Sequence, residues 1–251
     1  MGYFRDLTDK QVYSPYEQIP VVNKKYIRNK ETTIIMKMKV TLFSKFEYKM
    51  EEDGEKCFKS SVLFNKKVLY TNDEEPILNM NSESSTPQKT RLIYDGKKKD
   101  KLIASVETIK YQKGMKKIKH KVTFNNEITN EESSFEMNCD KKFCACGIFY
   151  GEEDLDSPMV CKISRIPHEK YKFKIEIAPG VDIALMLALA IIFADKVKFY
   201  RILGNRRQDF VDGDSDDFSE ADYDDFDFDD DGDDGDDGDD GDDGGDGDGG
   251  D

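Results

Sequence analysis

The chain reads as a mostly β protein of the α+β class, in which an antiparallel sheet wraps around one buried C-terminal helix. Two observations predict this. The first is the block from Val181 to Phe193, VDIALMLALAIIF. A helix with one apolar stripe lies on a surface, but this block is apolar on every face and has to be enclosed. It is also short for a bilayer: its helix spans about 20 Å against a hydrocarbon core of about 30 Å. Asp195, Lys196 and Lys198 then close off any apolar extension. The second observation is the texture of everything from Thr32 to Ala178, short alternating runs broken by turn residues, as in a meandering all-β domain. The sheet is the natural container for the helix.

The elements follow in order. TTIIMKMKVTLF (32–43) alternates from Ile34 or Ile35 onward. FEYKM (46–50) and CFKSSVLF (57–64) flank an acidic turn with Asp53-Gly54 at its corner, a hairpin signature. KVLYT, PILNM, KTRLIYD and KLIASVETIK come next, the last two separated by Gly96 and a run of lysines. MKKIKHKVTF (115–124), SSFEMN (133–138), KKFCACGIFY (142–150), MVCKISRI (159–166) and KYKFKIEIA (170–178) complete eleven or twelve strands. In the last of these, Tyr171, Phe173, Ile175 and Ile177 face one way and Lys172, Lys174 and Glu176 the other, the pattern of a half-buried strand. Pro179-Gly180 ends it. Asp182 then stands near the helix N-terminus, where a carboxylate meets unpaired amides. Three regions result: a polar lead-in over 1–25, the β domain over 26–204 with its helix at about 181–195, and a tail over 205–251.

Charge divides the same way. The net charge is −15, but all 24 acidic residues from Asp209 to Asp251 lie in a stretch without Lys or Arg, so the remaining 208 residues carry +9. The tail contains five Asp-Asp-Gly triplets from Asp230 to Gly244; self-repulsion and glycine entropy predict disorder. It lacks the Glu that closes an EF-hand loop and the apolar alternation of a calcium β-roll, which leaves weak, delocalised cation binding at most. Ser215 and Ser219 sit among its acids as phosphorylation candidates. Met1 to Lys10 has no apolar core segment, and Asp6 stands where a myristoylation signal wants Ser or Thr. With five cysteines, an odd number, the expectation is reduced thiols in the cytoplasm or nucleus.

The ending FKIEIAPGVDIALMLALAIIFADKV, the FEYKMEEDGEKCFKS hairpin and the KLIASVETIK strand resemble the LURP-one-related branch of the tubby C-terminal-like domains, a superfamily that also holds the phospholipid scramblases. The resemblance spans roughly residues 15 to 200 and is most specific at its end. It implies a closed antiparallel barrel of about twelve strands around a buried hydrophobic C-terminal helix. It implies no catalysis, and it brings in phosphoinositides and membranes through the tubby proteins, lipid movement and calcium through the scramblases. The scramblases' cysteine-rich palmitoylation cluster and Pro-rich amino-terminal region are absent here, and no tubby phosphoinositide motif matches residue by residue.

Catalytic signals are weak. The two histidines, His120 and His168, have no fixed nucleophile beside them, and no phosphate loop, dinucleotide fingerprint or hydrolase elbow is present. Cys139, Cys144, Cys146, Cys161 and His168 lack the spacing of a zinc knuckle, and Cys144 and Cys146 fit one face of a strand as small core residues. No cofactor or metal is expected. The lysines are the candidate site. Lys97, Lys98, Lys99 and Lys101 lie in a turn, while Lys117, Lys119 and Lys121 are read as sharing one face of the next strand. If a hairpin makes the two segments neighbours, seven ammonium groups converge, suited to anionic lipid head groups. The plainer alternative is a solvated barrel wall. Nucleic acid is disfavoured because the aromatics of a stacking platform are missing.

The expectation is therefore a non-enzymatic binding or scaffold protein, monomeric, cytoplasmic and peripheral at membranes, with anionic phospholipid as ligand. Two alternatives stand beside it. One is a scramblase-like protein whose 181–193 segment inserts into lipid; the other is an interaction module regulated by its acidic tail.

Overall fold

The computed structural model describes residues 3–40, 46–63, 66–83, 90–109, 117–169 and 171–208. The acidic tail from Asp209 and its candidate phosphorylation sites lie outside the described residues. A short helix α1 (Tyr3–Asp9) precedes twelve strands: β1 (Thr32–Val40), β2 (Phe46–Glu52), β3 (Glu55–Leu63), β4 (Lys66–Thr71), β5 (Pro76–Glu83), β6 (Thr90–Asp95), β7 (Leu102–Thr108), β8 (Lys117–Asn125), β9 (Glu132–Asp140), β10 (Ala145–Tyr150), β11 (Met159–Arg165) and β12 (Lys172–Ile177). Helix α2 (Ile183–Gln208) closes the described chain. Each strand pairs antiparallel with its sequence neighbours and β1 pairs with β12, so the meander closes into a barrel. Closure leaves no sheet edge exposed.

Twelve strands give the right bore. Eight-stranded barrels leave room only for side chains, and sixteen or more leave a channel. Between them is space for one helix, about 10 Å across with its side chains. Every residue of α2 from Ile183 to Ala194 is buried. It meets the inward set of each strand, including Ile34 and Met36 of β1, Met50 of β2, Met137 of β9 and Phe173 and Ile175 of β12, all inaccessible to solvent or nearly so. Phe193 packs its ring against those of Phe143 and Phe173 at 6.0 and 6.2 Å. The helix continues past the expected end at 195, because Asp195 and Lys196 carry it out of the apolar interior without a breaking residue.

The strand pattern follows the sequence closely. Asp53 and Gly54 both have positive φ, 50° and 84°, as a two-residue hairpin corner requires. Two expectations fail at strand ends. Tyr171, expected to face inward with Phe173, adopts a φ of 71° ahead of β12 and is exposed. Cys144 sits in the turn before β10 rather than on the strand; Asp140 accepts hydrogen bonds there from the amides of Lys142, Cys144 and Ala145, which ends β9 in a tight loop.

The lead-in is built into the fold. Leu7 of α1 is fully buried against Ala145, Phe149 and Met159 on the outer wall. It occupies the gap over Gly147, where a Cβ would fall 2.8 Å from Leu7 Cδ2. Further along, Ile19 N–H donates to Gly180 C=O at 2.8 Å, and Gly180 N–H donates to Arg28 C=O at 2.8 Å. Gly180 has a φ of 83°, which glycine takes without strain. Asp182 completes the clasp. Its Oδ2 accepts from the amides of Val21, Val22 and Asn23, and its Oδ1 from those of Ala184 and Leu185. One buried carboxylate thereby caps α2 and pins the lead-in across the barrel end.

Replacing Asp182 by Ala strands up to five amides in a dry site, and a cost of about 3–5 kcal/mol follows from removing one partner of such a network. Urea unfolding of Asp182→Ala is expected to show that loss. A change below about 1 kcal/mol would mean that water or rearranged backbone satisfies the donors equally well.

Candidate functional site

With the barrel interior filled by α2, ligand chemistry falls on the outer wall and on the mouth from which the helix leaves. The seven lysines expected to converge do not. β7 pairs with β8 so that Ala104 faces Phe124 and Thr108 faces His120. The 96–101 turn therefore sits beyond Phe124, while Lys117 lies seven residues back along β8, about 24 Å away. The hairpin assumption joined the wrong ends of the two strands.

Each group has its own surroundings. Lys117 pairs with Glu153 at 2.8 Å and Asp154 at 2.9 Å; Lys119 pairs with Asp154 at 2.8 Å and Glu136 at 3.5 Å. Hydrogen bonds from Lys119 and Lys117 hold the Asp154 carboxyl down to about 2. Tyr3 hydroxyl and Lys10 also reach Glu153, so this cluster fastens α1 to the wall. Lys121 is exposed and its register partners are Glu107 and Glu136. In the turn, Lys101 pairs with Asp95 at 3.6 Å, and Lys98 and Lys99 are exposed. Only Lys97 joins a larger basic feature.

That feature is a lysine row across the seam of the barrel. Lys172 of β12 lies opposite Lys37 of β1, Lys37 opposite Lys49 of β2, and Lys49 opposite Lys59 of β3. Lys59 in turn faces Tyr70 of β4, and Lys97 sets its ammonium 5.5 Å from the Tyr70 ring centroid. Strands lie about 4.8 Å apart, so four ammonium stems stand abreast over about 15 Å. Directly opposed like charges destabilise a sheet. Three of the four are balanced from the side: Lys37 by Glu51 at 2.6 Å, Lys59 by Glu74 and Lys172 by Glu169. Among the described residues Lys49 has no acidic partner. A shallow groove runs beside it, lined by Lys49, Lys56, Lys59, Tyr70, Asn72 and Lys97.

The second place is the mouth of the barrel. Asp195 of α2 accepts from the Tyr48 hydroxyl at 2.6 Å and pairs with Lys67. Burial, reinforced by Asp195, pushes the Tyr48 phenol well above its ordinary range. The next residue, Lys196, turns the other way, toward His120 Nε2 at 3.1 Å and Thr108 Oγ1 at 3.4 Å. Burial pulls its ammonium down to about 8 and holds His120 neutral.

The cysteines are structural neighbours. Cys139 and Cys146 face each other across β9 and β10 with sulfurs 3.3 Å apart, and both are buried. Burial raises the Cys146 and Cys161 thiols, which keeps them protonated. Among the described residues no group of three or more His, Cys, Asp or Glu side chains is arranged to hold a metal ion.

A family model described as LURP-one-related matches residues 32–195, from the first strand to the exit of the apolar helix. No curated protein sequence matches the chain. Among solved structures, an X-ray structure of a protein from Arabidopsis thaliana is similar with a TM-score of 0.50 at 20% identity, covering 70% of this chain and 97% of that one. That likeness concerns the fold.

The lysine row should be visible as a stability cost. Lys49→Glu replaces the central member by a charge opposite to both Lys37 and Lys59, and thermal unfolding at low salt is expected to show a gain of about 0.5–1 kcal/mol that shrinks in high salt. A destabilised Lys49→Glu protein would show that the row does not repel itself.

Proposed function

The chain belongs to the LURP-one-related family, and from that premise we propose that it is a non-enzymatic binding module for anionic phospholipid head groups, working at the cytoplasmic face of membranes. The row Lys172, Lys37, Lys49 and Lys59 with Lys97 beside it is the binding surface. The observation that carries the reading is the alignment itself: four lysines stand abreast on four strands, and the central Lys49 has no acidic partner among the described residues. A sheet that places like charges in direct opposition accepts a cost. A flat anionic surface repays it, at about 1 kcal/mol for each lysine brought near the leaflet. The Tyr70 ring and the groove beside it offer an apolar platform next to the charges.

Insertion of the 181–193 segment into lipid has little support, since its side chains fill the barrel. Among the described residues no helix is long and apolar enough to cross a membrane. The strands are apolar toward the helix and charged outward, the reverse of strands that face lipid. The reading is of a barrel that touches the membrane from outside.

Liposome flotation tests it. Wild-type protein is expected to float with vesicles containing phosphoinositide or phosphatidylserine and to stay behind with phosphatidylcholine alone, with steep loss of binding as salt rises. The double variant Lys37→Glu, Lys49→Glu is expected to lose at least about tenfold in partitioning, while Lys98→Glu, Lys99→Glu in the β6–β7 turn keeps most of it. Equal recovery with and without anionic lipid at moderate salt would sink the proposal.

A further inference from the structure

The mouth of the barrel carries a charge arrangement that the outer lysine row does not explain. Lys196 leaves the apolar interior with its ammonium directed at two neutral acceptors, His120 Nε2 and Thr108 Oγ1. Its neighbour Asp195 is engaged elsewhere, by Tyr48 and Lys67. Arg91 of β6 lies close enough to repel Lys196. Its register partner is Val106 on the buried face of β7, and its guanidinium donates to Ser82 of β5. The remaining groups on this side are the thiols of Cys139 and Cys146, of which burial keeps Cys146 protonated. So two cations face one space from β6 and α2, and among the described residues no carboxylate faces Lys196.

His120 sharpens the point. It is almost entirely buried, Lys196 engages its Nε2, and its Nδ1 has no hydrogen-bond partner. With Nε2 accepting from an ammonium, Nδ1 carries the proton and is a buried donor left unused. Among the described residues the ammonium and guanidinium at this mouth have no acceptor of negative charge, an arrangement suited to an anion.

We propose that the mouth of the barrel, at Lys196, Arg91, Thr108 and His120, is a binding site for a single phosphoryl group. Arg91 supplies the planar fork that suits two phosphate oxygens, Lys196 a point charge, and the Thr108 hydroxyl a neutral donor. The site is separate from the outer lysine row, and either stands if the other fails. Its phosphoryl group comes from a soluble phosphate or from a phospholipid head group presented at the mouth, and both sources share this chemistry.

The site has a proton linkage with a definite sign. Only the ammonium form of Lys196 attracts the anion, and burial has brought its titration down to about 8. Affinity is therefore present below pH 8 and declines as pH rises through it, above the range where phosphate itself gains charge.

The experiment uses the full chain and follows thermal unfolding against inorganic phosphate, with chloride at matched ionic strength as reference. At pH 7 phosphate is expected to raise Tm above the chloride reference, and the apparent affinity is expected to fall severalfold by pH 9. Lys196→Met, which replaces the ammonium by an apolar chain suited to the interior, is expected to fold and to weaken phosphate at least about tenfold. Arg91→Met is the second variant and is expected to act in the same direction. Lys98→Glu, in the exposed β6–β7 turn, is expected to leave the phosphate response unchanged, which separates this site from general surface charge. Vesicles of phosphatidylcholine with phosphatidic acid, added to the Lys49→Glu protein, distinguish the sources: capture that depends on Lys196 assigns a lipid head group, and protection by inorganic phosphate alone assigns a soluble one. The proposal is overturned if phosphate adds nothing beyond chloride, or if Lys196→Met responds as the wild type does.

Discussion

An apolar helix has to be put somewhere, and the rest of this structure is the consequence. α2 is apolar around its full circumference from Ile183 to Ala194, so packing against one sheet face would leave most of it wet. Only a closed wall removes all of it from water. The wall in turn needs twelve strands to make the bore, alternate apolar residues on every strand to line it, and pairing of β1 with β12 to close it. Because β1 and β12 are far apart in sequence, this last pairing is the costliest contact to bring about. The short path from β12 through Pro179-Gly180 into the helix then threads α2 straight into the barrel it helps to complete.

The two ends of the barrel are handled differently. At the entry, a single carboxylate, Asp182, collects amides from the lead-in and from the first turn of α2. Both oxygens of that carboxylate are engaged inside the chain. At the exit, α2 turns polar at Asp195 and Lys196, and the wall answers with Tyr48, Lys67, Thr108 and His120. Pairing there is uneven: among the described residues Asp195 has two partners and Lys196 only neutral ones. A filled interior thus leaves the chain two places to meet a ligand, the exit and the outer wall.

The architecture was legible in the sequence because it rests on local patterns. The period-2 runs, the Asp53-Gly54 corner and the all-round apolar block each announce an element without reference to any other. Errors appear where a neighbour decides. Tyr171 alternates correctly with Phe173, but its φ of 71° just ahead of β12 turns its side chain toward solvent. Cys144 reads as strand, yet Asp140 draws the amides of Lys142, Cys144 and Ala145 into a loop. The lead-in looks polar because its apolar anchors, Tyr3, Leu7 and Val12, are scattered among polar residues, and the receiving gap over Gly147 is 140 residues away. The lysine row was hidden for the same reason. Lys37, Lys49, Lys59 and Lys172 sit in four separate runs, and only the registers across the seam line them up, whereas the conspicuous run at 97–101 is split between a turn and an ion pair.

The contrast between the two lysine groups says what kind of pressure shaped each. Lys117 and Lys119 are largely shielded, each within 3 Å of an acidic partner, and they hold α1 and the segment around Glu153 to the wall. A group serving stability is expected to look like that, since a shielded charge without a partner is expensive. The row across β12, β1, β2 and β3 breaks the rule twice, by opposing like charges and by leaving its central member unpaired. Nothing in the packing demands it: Thr or Glu at position 49 would satisfy the strand and relieve the repulsion. The repulsion the row accepts is what the proposed contact with an anionic surface would offset. An extended, solvent-facing line of ammonium groups has one general use, which is to meet negative charge spread over a comparable area.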